Sequence, residues 1–193
     1  MASKKITSVI VILTQKMDFT VDKVIAELNR KDVPIIRFDT ADFPLHSTLN
    51  VKADINGWHG SLDYDGRSIP FDNIKSIWFR RPTEFEFNPD MTITERRFAS
   101  DEARMAIGGL LRSADCLWVN HPEKLVSADY KPLQLKLAVQ HGLDIPKTII
   151  TNQPDAVVEF YKQCNGQIIY KTLSGGMIFS KRVSEKSIWS KSA

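Results

Sequence analysis

Hydrophobic positions follow two different periods along this chain. Thr7–Leu13 is a β-branched run with little alternation, the pattern of a strand buried on both faces. Val21, Val24, Ile25 and Leu28 then recur at helical spacing, with Asp18 or Thr20 placed to cap the segment. Val33–Phe38 is a second short apolar run, ending at Asp39. Strand, helix and strand in about 30 residues open an α/β sheet with a parallel, right-handed crossover. The period then drops to two. Leu49–Ile55 and Trp58–Tyr64 alternate on either side of Asn56-Gly57, and Asp65-Gly66 marks a second tight turn. Ser68–Phe71 and Ile74–Phe79 follow, so the pattern predicts an antiparallel β-meander inserted before a central strand at Ser76–Phe79. Thr92 and Glu95 form a capping-box pattern ahead of a helix carrying Phe98, Ala103, Ile107, Leu110 and Leu111. Cys116–Val119 reads as a short strand.

From Asn120 the texture changes, and a domain boundary is placed there. Asn120–Lys124 reads as a loop or a single helical turn. Asp129 is placed to cap a helix to His141, with Pro132 in its first turn and Gly142 as the stop. Ile145-Pro146 favours extended backbone into a strand at Lys147–Thr151. Asn152 and Pro154 begin a helix ending near Gly166, and Gln167–Thr172 reads as a strand. Ser174-Gly175-Gly176 reads as a flexible turn and Met177–Val183 as a return strand. The serine-rich Ser184–Ala193 reads as a frayed tail, and no internal repeat recurs.

Composition narrows the class. With 193 residues the chain has room for one domain, or one and part of another. Hydrophobic residues at 42% and charged residues at 25% are globular values. The net charge of +3 is too small to argue for a nucleic-acid partner. Residues 1–119 carry 16 basic and 17 acidic side chains, residues 120–193 carry 10 and 6. The excess in the second part fits an anionic small ligand, and equally an ordinary lysine-rich surface. The longest strongly apolar run, Val9–Leu13, is too short to span a membrane, and no signal peptide is recognisable. Cys116 and Cys164 stand in no metal-ligand spacing, so a reducing, cytoplasmic setting is expected.

Three places carry candidate chemistry. Lys171 lies in Ile168-Ile-Tyr-Lys-Thr172, shortly before a glycine pair. A strand lysine neutralises phosphate oxygens, and glycine amides approach closely enough to donate. The alternative is a solvent-facing lysine beside a common hairpin loop. Lys131 sits in a first helical turn, where a cation opposes the macrodipole unless an anionic ligand holds it there. The alternative is a surface lysine that bends away. Arg80-Arg81-Pro82 ends a strand, where two guanidiniums can bind a carboxylate or phosphate. The alternative is a salt bridge to Glu84 and Glu86. His121 reads as a packed loop residue, Cys116 as a small buried hydrophobe, and Trp78 and Trp118 as core.

The order Lys131, Gly142, Pro146, Thr148, Lys171 and Ser174-Gly175-Gly176 resembles the ATP-grasp superfamily of carboxylate–amine ligases. Together with Ile74-Lys-Ser-Ile-Trp-Phe-Arg-Arg-Pro82, Trp118-Val-Asn-His-Pro-Glu-Lys124 and Tyr170-Lys-Thr-Leu-Ser-Gly-Gly176, the chain is similar to the ATP-grasp ligases that mature ribosomally made peptides, such as the microviridin ligases. These join side-chain carboxylates of a precursor peptide to its hydroxyls or amines through an acyl-phosphate. The resemblance implies an open α/β pre-ATP-grasp domain with a meander insertion over residues 1–119. It implies the small subdomain of the grasp over residues 120–183, ahead of the tail at 184–193. It implies ATP and magnesium as cofactors, with Lys131, Lys171, Ser174, Gly175 and Gly176 on the phosphates. A precursor peptide is the implied partner, together with a second copy or a full-length ligase. Neither nucleic acid nor membrane is expected.

The sequence ends 17 residues after Gly176, before the acidic and asparagine metal ligands of the family. The expectation is therefore the N-terminal portion of such a ligase, without its magnesium ligands and not catalytic alone. A competing reading is a non-catalytic accessory or peptide-binding protein derived from one. A dinucleotide-binding protein lacks support, because no Gly-x-Gly-x-x-Gly follows the first strand.

Overall fold

The structure, a computed structural model, describes residues 8–173 and 181–182. The chain divides into two compact units, Met1–Pro122 and Glu123–Ala193.

The first unit is built on a four-stranded parallel sheet. Its strands are β1 (Val9–Thr14), β2 (Ile35–Phe38), β6 (Ile74–Arg81) and β7 (Leu117–Val119), in the order β2-β1-β6-β7. Helix α1 (Phe19–Arg30) connects β1 to β2, and α2 (Ile93–Ser113) connects β6 to β7. Asp18 rather than Thr20 caps α1, its carboxylate accepting from the amides of Thr20 and Val21. The capping box of α2 forms as expected, with Thr92 and Glu95 bonding each other's backbone amides. The predicted meander is present as β3 (Ser47–Asp54), β4 (Gly57–Tyr64) and β5 (Arg67–Pro70), an antiparallel sheet of its own.

One core serves both sheets. Val9, Val11 and Leu13 of β1 lie against Ile36 and Phe38 of β2, Ile77 of β6, and Ile107, Leu110 and Leu111 of α2. Leu62 and Ile69 bring the meander into the same cluster. Burying each such side chain contributes roughly 1.5–3 kcal/mol, so the sheet, α2 and the proximal meander form one body. Beyond Val51 the β3–β4 hairpin is exposed from Lys52 to Gly60. Cys116 and Trp118 pack half-buried against the core.

The second unit contains α3 (Pro122–Ala128, beginning one residue earlier), α4 (Lys131–Gln140), α5 (Pro154–Gln163) and a two-residue ladder of β8 (Ile169–Tyr170) with β9 (Lys181–Arg182). Three expectations are corrected here. Asn120–Lys124 leads into a full helix rather than a loop, because Pro122 starts α3. Asp129 does not cap the next helix: its amide donates to the carbonyls of Leu125 and Val126 and so closes α3, leaving Tyr130 at the cap of α4 without a side-chain bond. Lys147–Thr151 pairs with no other strand among the described residues, and without a ladder it is not a strand. Helices α4 and α5 carry no buried side chain.

Candidate functional site

In open parallel sheets ligands collect outside the carboxyl ends of the strands, where the winding reverses. Here the chain winds from β1 outward to β2 on one side, and from β6 outward to β7 on the other. The reversal therefore lies between β1 and β6. Their carboxyl ends bring together Thr14, Asp18, Arg80 and Arg81.

Polar groups fill this edge because each strand runs straight from an apolar stretch into a loop that needs anchoring. Asp18 is 6% exposed. Beside capping α1 it accepts from the Thr14 hydroxyl at 3.2 Å and lies 3.5 Å from Arg80 Nε. Burial by itself pushes the Asp18 carboxyl up, but the Val21 amide, the Thr14 hydroxyl, Arg80 and the Thr20 amide together hold it below the usual carboxylate range. Asp39, after β2, accepts from the amides of Lys16, Ala41 and Thr83 and from the Thr83 hydroxyl. It thereby ties the loops after β1, β2 and β6 together. Lys16 reaches Asp42 at 2.8 Å, and that hydrogen bond and charge raise the Lys16 amine above its ordinary value. Burial, then Asp42, pushes the Tyr64 hydroxyl up. Arg37 donates to Asp22 and to the Gln15 carbonyl. A cleft of about 260 Å³ lies just past Arg81, lined by Pro82, Thr83, Glu84, Phe85, Ser100 and Arg104.

The sequence-derived alternative for Arg80 and Arg81 is corrected: neither pairs with Glu84 or Glu86, and the partner of Arg80 is Asp18. Lys131 is the first residue of α4 and half-buried; Lys171 directly follows β8 and is exposed. Neither makes a hydrogen bond or ion pair among the described residues, so both ammonium groups are available to an anion. Ser174, Gly175 and Gly176 lie outside the described residues, as does the tail. Among the described residues no group of three or more His, Cys, Asp or Glu side chains is placed to hold a metal ion. His121 packs at a tilt against Trp118, with ring centroids 5.1 Å apart, and His59 pairs with Asp54 on the exposed hairpin. Burial raises the Cys116 thiol, as befits a packing residue, and both cysteines are free. No helix among the described residues is long and apolar enough to cross a membrane.

Sequence reasoning named Asp18 only as a helix cap and Asp39 only as the end of a strand. It did not single out Lys16, Asp42 or Thr83. The local signal was present: an aspartate follows each of the first two apolar runs within a few residues. What the signal lacks is the partner, which in each case lies more than 40 residues further along.

Comparison with known proteins agrees with this architecture. A sequence family described as the MvdD pre-ATP grasp domain matches residues 8–126. The macrocyclase MdnC of Microcystis aeruginosa MRC, bound with its precursor peptide MdnA, superposes with a TM-score of 0.83 at 23% identity, covering 94% of this chain and 60% of that one. The macrocyclase MdnB of the same strain is 34% identical over 84% of this chain and 53% of its own, with a TM-score of 0.70. A RiPP-associated ATP-grasp ligase of Chryseobacterium gregarium, in complex with ADP and a leader and core peptide, gives a TM-score of 0.78 at 23% identity, covering 94% of this chain and 58% of that one. The chain thus spans a little over half the length of these enzymes. No curated protein matches the sequence.

Proposed function

The chain belongs to the family of the MvdD pre-ATP grasp domain, and from that premise we propose that it serves as the N-terminal part of an ATP-dependent ligase acting on a ribosomally made precursor peptide. The observation that carries the reading is the family match across the whole parallel sheet and meander, with a macrocyclase bound with its precursor peptide and a RiPP-associated ATP-grasp ligase each aligning with 94% of the chain. In this reading residues 1–119 are the pre-grasp domain and residues 120–183 the small subdomain of the grasp. The product is a lactone or lactam within the peptide.

ATP, when bound, supplies the phosphoryl group that activates a side-chain carboxylate. Lys131 and Lys171 would hold its phosphates, and Ser174, Gly175 and Gly176 would donate backbone amides to them. The charge supports this assignment. Lys131 stands at the amino end of a ten-residue helix, where the macrodipole also favours an anion. Both lysines lack a competing carboxylate among the described residues.

The test is calorimetric titration of ATP with magnesium into this polypeptide, beside the Lys131→Ala/Lys171→Ala double variant. The expected result is saturable binding that the double variant weakens at least tenfold. Equal binding by the folded double variant would remove the two lysines from the phosphate site. No binding to the folded parent chain would refute nucleotide binding by this stretch.

A further inference from the structure

We propose that Arg80 and Arg81 form a carboxylate-binding site at the edge between β1 and β6, with Asp18 as the residue that positions Arg80. The observation behind this is a register shift. Leu13 pairs with Phe79, but Thr14 pairs with Arg81, so Arg80 is an extra residue opposite no partner. A bulge of this kind re-aims a side chain and is common next to functional sites.

The consequence follows from strand geometry. Successive residues of a regular strand face opposite sides, so two adjacent arginines would normally be split. Paired residues of neighbouring strands share a face, which puts Arg81 on the Thr14 side. Arg80 alternates away from Phe79, onto the same side. Its ion pair with Asp18, which itself accepts from Thr14, agrees with that placement. The bulge therefore sets both guanidiniums on one face, at the point where the winding of the sheet reverses.

The guanidinium of Arg80 is held from behind by charge. Its Nε is buried, makes no hydrogen bond and lies 3.5 Å from an Asp18 oxygen, while the side chain as a whole is 30% exposed. No partner for its two terminal nitrogens occurs among the described residues. Those nitrogens form a planar fork of the kind that accepts a carboxylate with two parallel hydrogen bonds. Arg81 is exposed beside it and unpaired among the described residues. Asp18 cancels one of the two positive charges, leaving a site matched to a singly charged anion rather than to a doubly charged phosphate. Resting on the reading of the chain as part of a peptide ligase, the natural ligand is an acidic side chain of the peptide substrate.

The test uses the side-chain Nε–Hε resonances of arginine, read by NMR on the 193-residue chain. The probes are N-acetylglutamate α-methylamide, inorganic phosphate and ATP. The glutamate analogue is expected to shift the Arg80 and Arg81 resonances saturably. Arg80→Gln and Arg81→Gln should each weaken that binding at least fivefold, while ATP affinity stays unchanged. The exposed Arg81 variant remains informative if the Arg80 variant does not fold. Asp18→Ser keeps a good helix cap but removes the ion pair. It should move the Arg80 Nε–Hε resonance and weaken the analogue, with α1 intact by amide shifts. Absence of a saturable shift, or equal affinity in both arginine variants, overturns the proposal. Phosphate displacing the analogue at lower concentration overturns the carboxylate assignment. Loss of ATP binding in the arginine variants would likewise show the pair to be a phosphate site, a failure separate from that of the two lysines.

Discussion

Removing the Asp39 carboxylate should loosen three loops at once, in a ratio that the structure fixes. Asp39 is 5% exposed. One oxygen, Oδ2, accepts only from the Lys16 amide, at 3.2 Å. The other, Oδ1, accepts from the amides of Ala41 and Thr83, at 3.3 and 3.4 Å, and from the Thr83 hydroxyl. A hydrogen bond to a charged group contributes roughly 1.5–3 kcal/mol, and long amide contacts fall toward or below the lower limit, at about 1 kcal/mol each. Asp39→Ala strands three amides and the Thr83 hydroxyl and should destabilise the first unit by at least about 3 kcal/mol. Asp39→Asn can keep its oxygen at the Oδ1 position and turn its amino group toward Lys16, losing one bond, so it should cost only about 1 kcal/mol. Urea unfolding followed by tryptophan fluorescence measures both, with the slope unchanged if only stability moves. Hydrogen exchange at Lys16, Ala41 and Thr83 locates the effect. An alanine variant within about 0.5 kcal/mol of the parent, or an asparagine variant as unstable as alanine, would refute the view that this carboxylate ties the three loops.

Other outcomes follow from single positions. Gly60 has φ +130, and a Cβ there would meet the Asn50 carbonyl oxygen at 2.1 Å, whereas Gly57 at φ +111 has open space around it. Gly60→Ala should therefore lower stability by at least about 2 kcal/mol and disrupt the β3–β4 pairing, and Gly57→Ala by only about 1 kcal/mol, as thermal unfolding would show. Ile107→Ala removes a side chain 2% exposed at the α2–sheet contact and should cost about 2–5 kcal/mol in denaturant unfolding. Asp18 titrates below its ordinary value in the folded chain, so its contribution is fully present above the ordinary carboxylate range and is lost as pH falls through the depressed folded value. Asp18→Ser should flatten the acid limb of a stability-against-pH curve, and an unchanged limb would refute that linkage.

Much of the first unit was legible because its signals are local. A β-branched run, a helical recurrence from Val21 to Leu28, and the pairs Asn56-Gly57 and Asp65-Gly66 each act over a few residues. Thr92 and Glu95 announced α2 for the same reason. The break between α3 and α4 was not legible, because Asp129 suits a helix start as well as the helix end it occupies. Lys147–Thr151 has strand-like residues, yet a strand exists only with a partner, which no local pattern supplies. The Arg80 bulge is a property of two strands in register, so the sequence showed two arginines at a strand end but not that they share a face. The link from Asp39 to Thr83 is invisible for the same reason: each residue alone reads as ordinary loop chemistry.

The position of β6 also bears on how fast the sheet can close. Leu13 must find Phe79, a partner about 65 residues away, before β1 gains its central neighbour. Nearly all of the meander between them consists of hairpins whose partners are close in sequence, and such hairpins form in about 1–10 μs. Once Ser47–Pro70 has zipped up, the flexible length left to close is shorter by about a third, which lowers the entropic cost of closure by roughly 0.4 kcal/mol. That is about a twofold gain in closing rate. Early assembly of the inserted sheet would thus shorten the search that brings β6 to β1. Variants that weaken the β3–β4 hairpin, such as Gly60→Ala, should slow refolding as well as speed unfolding.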